Sequence, residues 1–194
     1  MSDGQSIVTK RGDGGETDLL YGGRVSKTDP RTEAGGALDE AVSALGLARA
    51  LSGEPLVRTV VDELQRALFT LGAELATDAE SHEKLAQHFK AVSAEMTQAL
   101  EAHIGALERE VDLPPSFIVP GASPASAALD VARSVLRRAE RRAVALLERS
   151  MLANPEVLRY LNRASDLVFM LARYEDRALP VEVVSERAAR RAEP

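Results

Sequence analysis

A chain of 194 residues with 45% hydrophobic content is long enough to bury one full core and short for two. Its 24 basic and 30 acidic residues leave a net charge of -6, which argues against general affinity for nucleic acid or anionic membrane and confines any anion site to a local patch. The chain has no cysteine, which excludes disulfides, thiolate metal sites and cysteine nucleophiles, and 4% aromatic content leaves little for base-stacking platforms. The first residues, MSDGQSIVTKRGDGGETD, lack the apolar core of a signal peptide, and no run reaches the roughly 18 apolar residues that span a bilayer. The expectation is a soluble, cytoplasmic protein without a membrane or nucleic-acid partner.

Residues 1–30 form a leader rich in glycine, threonine and aspartate, and its TDLLYGG segment is either extended or looped. Within it, Thr9-Lys10-Arg11-Gly12-Asp13-Gly14-Gly15-Glu16-Thr17 has the makings of an anion-binding loop. Glycines let backbone N–H groups approach an anion, while Lys10 and later Lys27 supply charge, and Thr9 and Thr17 supply hydroxyl donors. It is not a Walker A loop, because no GK[ST] follows four residues after a glycine. A flexible leader would have the same composition.

After Asp29-Pro30 the apolar spacing predicts a helix from about Arg31 to Ala50, with Gly35-Gly36 weakening its first turns or admitting another backbone or ligand. An inward Asp39 on this helix would require a cationic partner. A second helix is predicted over about 55–77 and a third over about 82–111, with Ser81 as its cap. His82, His88 and His103 are too scattered to mark a metal centre. The stretch from Val111 to Pro124 is too rich in proline for helix and forms the main internal loop. Ser123-Pro124 then starts a fourth helix to about Leu152, and Asn154-Pro155 a fifth to about Tyr174. On that fifth helix Asn162, Asp166, Phe169 and Arg173 share a face among apolar residues, and its polar groups need partners, either on a neighbouring helix or on a ligand. The tail from Leu179 is charged. The fold class is all-α, with a helical domain over 31–177 between the leader and a tail over 178–194.

The fourth helix carries the stretch around which the rest is arranged, RSVLRRAERR at 133–142. At roughly 100° per residue, Arg133, Arg137 and Glu140 fall within about 60° of one another, at the border of an apolar arc of Leu129, Ala132, Leu136, Ala139 and Ala143. Charges at the border of a buried stripe point into a groove between helices, and a groove lined mainly by arginine suits polyphosphate. Ordinary surface arginines on a bundle helix would give the same local pattern.

With both ends in view, four separated segments in order resemble the PduO-type ATP:cob(I)alamin adenosyltransferases: TKRGDGGETDLLYGGRVSKTDPRTEAGGALDE, LQRALFTLGAELAT, FIVPGASPASAALDVARSVLRRAER and YLNRASDLVFMLAR, together spanning about residues 7–177. The resemblance implies a five-helix bundle assembled as a homotrimer, with ATP and corrinoid bound between subunits. It implies that Thr9, Lys10, Gly12, Asp13, Gly15, Thr17 and Lys27 hold ATP phosphates. Arg137, Arg138, Glu140 and Arg141 would supply the other half of the nucleotide site, with Asn162 contacting the nucleotide. Asp39 would pair with Arg133 across the subunit boundary, while Phe117, Asp39 and Phe169 would face the corrinoid. Magnesium would accompany ATP, with Glu140 a candidate to touch it.

The implied reaction needs no protein nucleophile, since cobalt(I) itself attacks the 5′ carbon of ATP and expels triphosphate. The protein's work is positioning and charge stabilisation. A hydrophobic wedge such as Phe117 would keep water off cobalt(II) and ease its reduction. A reductase and an adenosylcobalamin-dependent mutase are the implied further partners. Three positions depart from the family pattern: Ala122 for a glycine, Asp130 for a histidine, and Gly35 for a larger residue. They motivate an alternative of another class, a noncatalytic carrier or sensor of ATP or adenosylcobalamin; a plain helical scaffold is a third.

Overall fold

Local chemistry at the chain's stop signals divides it into elements, and a computed structural model describes residues 7–184. Asp29 caps the first long helix, α1 (Pro30–Leu51), its carboxylate accepting the Arg31 N–H at 2.8 Å while Pro30 supplies the preset first turn. Ser52-Gly53-Glu54 then turns the chain into α2 (Pro55–Leu75). A 3-10 turn (Ala79–Ser81) leads to short α3 (His82–His88), followed by α4 (Ala94–Leu107). Ser123 and Ser126 exchange hydrogen bonds in a capping box at the start of α5 (Pro124–Glu148), again with proline in the first turn. The last helix, α6 (Glu156–Glu175), begins where the Asn154 side chain accepts the Glu156 N–H.

Helices α1 and α5 form the closest pair, and α5 also packs on α6, α1 on α2, and α4 on α6. Their facing stripes explain the closeness. Ala34, Ala37, Ala41 and Ala48 on α1 are buried, as are Ala128, Ala132, Ala139 and Ala143 on α5, so small side chains let the two backbones approach. Leucines fill the remaining space, with Leu38, Leu45, Leu64, Leu68, Leu129, Leu136 and Leu161 all buried. The apolar arc read from 129–143 is the buried face of α5.

The structure differs from the sequence reading at the third helix, in the leader and at Gly35-Gly36. The single helix expected over 82–111 is split into α3 and α4, so the chain has six helices among the described residues, five of them long enough to build the bundle. No glycine or proline breaks it. Instead the buried carboxylate of Glu74 accepts the Val92 N–H at 2.6 Å, and Asn154 Nδ2 donates to the Val92 carbonyl at 2.9 Å, so tertiary partners take the groups that would have continued the helix. Ser81 lies in the 3-10 turn and makes no side-chain cap. The leader, for its part, contains a two-stranded antiparallel hairpin, β1 (Glu16–Asp18) and β2 (Arg24–Ser26), with Thr17 opposite Val25. Gly35 and Gly36 lie within regular α1, and a Cβ at either would meet nothing within 4 Å. They neither interrupt the helix nor serve a close contact within this chain.

The hairpin is fastened to the bundle end. Leu20 N–H donates to the Ala76 carbonyl at 2.8 Å and Asp78 N–H to the Tyr21 carbonyl at 2.7 Å, while buried Arg31 pairs with Asp78 at 2.7 Å. At the other end, residues 182–184 lie antiparallel to 117–119, with Val119 N–H on the Glu182 carbonyl and Val184 N–H on the Phe117 carbonyl, both at 2.9 Å. The tail after Val184 lies outside the described residues. No described helix is long and apolar enough to cross a membrane.

Candidate functional site

In the leader the glycines are used where the backbone demands them. Gly15 has φ +79°, a value L side chains rarely adopt, and its carbonyl accepts the Lys27 N–H at 2.8 Å. A Cβ at Gly12 would stand 3.0 Å from the Lys27 ammonium nitrogen, so Gly12 leaves room for Lys27 to cross the loop. The turn is closed by Asp13 N–H on the Lys10 carbonyl at 3.3 Å and Gly15 N–H on the Gly12 carbonyl at 3.2 Å. Thr9, Lys10, Asp13, Gly15 and Lys27 are exposed, and Thr17 is half-buried in β1. Thr9, Lys10, Gly12, Asp13 and Gly15 therefore share one largely solvent-facing loop, with Lys27 bonded to it from beyond β2 and Thr17 in the strand that follows.

Sequence reasoning missed what stiffens that loop. Arg11 pairs with Asp18 at 2.9 Å, and Arg24 bridges Asp18 at 3.1 Å while donating to the Arg11 carbonyl at 2.9 Å. Asp18 and Arg24 are register partners across the β1–β2 hairpin, and Arg11 reaches both from the loop before it; that register was not readable from composition.

On α5 the arginines divide by what they touch. Arg138 is ion-paired to Glu40 and Arg142 lies 3.5 Å from Glu33, both on α1. Arg137 and Arg141 are exposed and form no hydrogen bond or ion pair among the described residues. Between α5 and α6, Asn162 Nδ2 donates to Glu140 Oε1 at 3.0 Å. Arg137, Glu140 and Asn162 therefore occupy one edge, and Arg138 is committed to the α1 side. No hydrogen bond or ion pair among the described residues joins this edge to the glycine-rich loop of the same chain.

Asp39 is exposed and makes no contact with Arg133 within the chain, so the inward carboxylate considered from sequence is instead a surface group on α1. Arg133 Cζ lies 5.4 Å from the centre of the Phe169 ring, and both residues line an open groove with Leu113, Arg163, Asp166 and Met170. Arg173, flagged only as needing a partner, is buried and paired with Asp130, 43 residues earlier in the chain. Burial pushes the Asp130 carboxyl above its ordinary range, against the downward pull of Arg173. Asp166 finds Arg163 at 2.7 Å.

Phe117 is 86% exposed on the loop before α5, its backbone held by the strand contact with 182–184. Its neighbour Ile118 lines a cavity of about 300 Å3 floored by Arg173 and Asp176, and Ala122 stands at the same cavity. Among the described residues no group of three or more His, Cys, Asp or Glu could hold a metal ion. Glu140 engages one oxygen with Asn162, which leaves the other free.

The structure is a helical bundle with a glycine-rich loop preceding α1 and two exposed arginines, Arg137 and Arg141, on α5 that form no hydrogen bond or ion pair among the described residues. The chain belongs to the cobalamin adenosyltransferase family, whose sequence pattern matches residues 7–175. Corrinoid adenosyltransferase PduO of Salmonella typhimurium is 42% identical over 171 residues, covering 88% of this chain and 50% of the relative. The corrinoid adenosyltransferase of Bacillus subtilis is 41% identical over 171 residues, covering 86% of this chain and 84% of the relative. The chain spans about half the length of the PduO relatives and most of the shorter ones. Among solved structures, a phenylalanine-to-alanine variant of the PduO-type ATP:corrinoid adenosyltransferase from Lactobacillus reuteri, complexed with cobalamin and ATP, superposes with a TM-score of 0.85 at 34% identity, covering 93% of this chain and all of that one.

Proposed function

We propose that the protein transfers the 5′-deoxyadenosyl group of ATP to cob(I)alamin, forming adenosylcobalamin and triphosphate. The observation that carries this reading is the unpaired Arg137 on α5. It is exposed, while Arg138 and Arg142 beside it are tied to α1, on a chain whose relatives include corrinoid adenosyltransferases. An arginine kept without a protein counter-ion at the edge of a buried stripe is available to a phosphate.

The two cationic parts belong together in a homotrimer. The glycine-rich loop of one protomer, with Lys10 and Lys27, would face Arg137, Arg141, Glu140 and Asn162 of the next. Exposed Asp39 would reach Arg133 across the same boundary. The bare surface around Gly35 and Gly36 supports this, because a helix with no Cβ there admits a second backbone.

The chain's own residues bind and orient. Loop N–H groups, Lys10 and Lys27 would grip the triphosphate, and Arg137 would stabilise the charge that grows on it as the C–O bond to the 5′ carbon breaks. Asn162, fixed by Glu140, would orient the nucleoside. Phe117 would lie against the corrin and exclude water from the cobalt of cob(II)alamin, easing its reduction before transfer. Magnesium would neutralise phosphate charge, held chiefly by phosphate oxygens with the free Glu140 oxygen within its coordination chemistry. A reductase supplies the electron, a mutase receives the product, and the reducing cytoplasm is the proposed setting.

The test is anaerobic incubation with ATP, magnesium and chemically reduced cobalamin, following the corrinoid spectrum and released triphosphate. Adenosylcobalamin and triphosphate should appear in equal amounts. Corrinoid binding with no cobalt–carbon product would instead identify a carrier.

A further inference from the structure

The ring of Phe169 carries two guanidinium groups. Arg133 Cζ lies 5.4 Å and Arg173 Cζ 5.3 Å from its centre. Each contact alone is a favourable cation–π pairing, but two cations on one ring repel each other. A carboxylate resolves the conflict. Asp130 lies three residues before Arg133 on α5, hence one helical turn away on the same side, and it binds Arg173 Nη2 directly. The Asp130 and Arg173 side chains are 13% and 7% exposed, so the pair is shielded from solvent. Arg133 is held differently. It forms no hydrogen bond or ion pair among the described residues, and its guanidinium borders the open groove lined by Glu101, Arg163 and Asp166.

We propose that Asp130, Arg173 and Phe169 form a positioning unit that fixes the free guanidinium of Arg133 at the mouth of this groove. The inference rests on the reading that Arg133 meets Asp39 of a neighbouring protomer beside the corrinoid. Phe169 supplies a flat surface for the Arg133 plane. Arg173 clamps the ring from within the bundle, and Asp130 offsets the two positive charges without consuming the donors of Arg133. An arginine so restrained gives up little rotamer freedom when a carboxylate arrives, which strengthens the encounter without any added contact. A pair serving only to join α5 to α6 would not have to stand over the ring that Arg133 uses.

The test is a double-mutant cycle on the full chain, measuring corrinoid KM, kcat and trimer dissociation. Asp130→Asn keeps the shape and a hydrogen-bond acceptor for Arg173 but removes the charge. It should raise corrinoid KM by roughly threefold to thirtyfold, the range of a lost cation–π restraint, and change kcat less. In an Arg133→Ala background the same substitution should raise KM by no more than about twofold, since there is nothing left to position. Arg173→Lys, which keeps the ion pair but loses the planar stack, should behave alike and provides the cycle if Asp130→Asn fails to fold. Multiplicative effects in the double variants overturn the proposal, leaving the family reading of Arg133 intact. An Arg133→Ala variant with wild-type KM and assembly overturns both, so the two failures are told apart.

Discussion

Replacing Arg137 by alanine separates chemistry from folding, because the structure gives the side chain almost no structural task. It is exposed, has no hydrogen bond or ion pair among the described residues, and sits within α5, where alanine is an excellent helix former. Loss of stability should therefore stay within about 0.5 kcal/mol. The catalytic cost follows from the charge it faces. On the proposed reaction, triphosphate departure would concentrate negative charge near the guanidinium, and removing one preorganised donor of this kind costs about 3–4 kcal/mol, or roughly a hundredfold to a thousandfold in kcat. Arg137→Lys should recover part of that loss, because the point charge remains while the bidentate fork does not. The assay is the anaerobic spectral change at saturating corrinoid, with thermal unfolding of the same preparations alongside. Turnover within threefold of the parent chain in a folded Arg137→Ala variant would refute the assignment. Loss of turnover together with loss of the fold would show that the side chain is structural.

Four further outcomes follow from the geometry. Asp39→Asn should weaken trimer assembly or corrinoid binding while leaving protomer unfolding nearly unchanged, because Asp39 is exposed within the chain; analytical ultracentrifugation and corrinoid titration check both. Phe117→Ala should leave stability within about 0.5 kcal/mol, since the ring is 86% exposed, yet make reduction of bound cob(II)alamin harder by readmitting water, read as a lower potential. Glu74→Ala should cost about 2–5 kcal/mol, because the Val92 N–H at 2.6 Å and Asn154 Nδ2 at 3.0 Å lose their acceptor, and should lower Tm by about 4–20 °C in calorimetry. Asp130 titrates above its ordinary 3.8 in the folded chain, so the stability tied to its neutral form is present below 3.8 and lost as pH rises through the raised value; in urea unfolding the parent chain should lose ground to Asp130→Asn across that window, and a constant or opposite difference would show that Arg173 outweighs burial.

Most of the bundle is legible in the sequence because helix starts and apolar periodicity are local. Asp29-Pro30 and Ser123-Pro124 cap the helices they announce, and Leu129, Ala132, Leu136, Ala139 and Ala143 form the buried face that their spacing requires. The break between α3 and α4 is not legible, because Glu74 and Asn154 reach Val92 from 18 and 62 residues away, and no residue between 89 and 93 is a helix breaker. The same holds for the ion pairs. Arg173 visibly needed a partner, but nothing within α6 shows that the partner is Asp130 on another helix.

The candidate site is legible to a different extent. Residue types single out the loop at 9–17, Lys27 and the arginines of α5 as candidates, and only the family resemblance assigns them to one nucleotide; the positive φ of Gly15 shows where the loop needs its glycine. What a single sequence leaves open is which copy of the loop serves which copy of α5. In one protomer the hairpin is fastened to the end of α2 through Ala76 and Asp78, while Arg137 is exposed within α5. No hydrogen bond or ion pair among the described residues joins the loop to that stretch of α5. On the proposed reading a second chain brings the other half, and Asp39, Arg133, Arg137 and Arg141, which form no hydrogen bond or ion pair among the described residues, are the groups it would meet. Mixing Arg137→Ala chains with chains altered at Lys27 is the decisive form of this reasoning: neither parent should turn over, yet mixed trimers should recover activity at the interfaces that join an intact loop to an intact α5. Absence of recovery in trimers shown to be mixed would mean that one protomer supplies both halves.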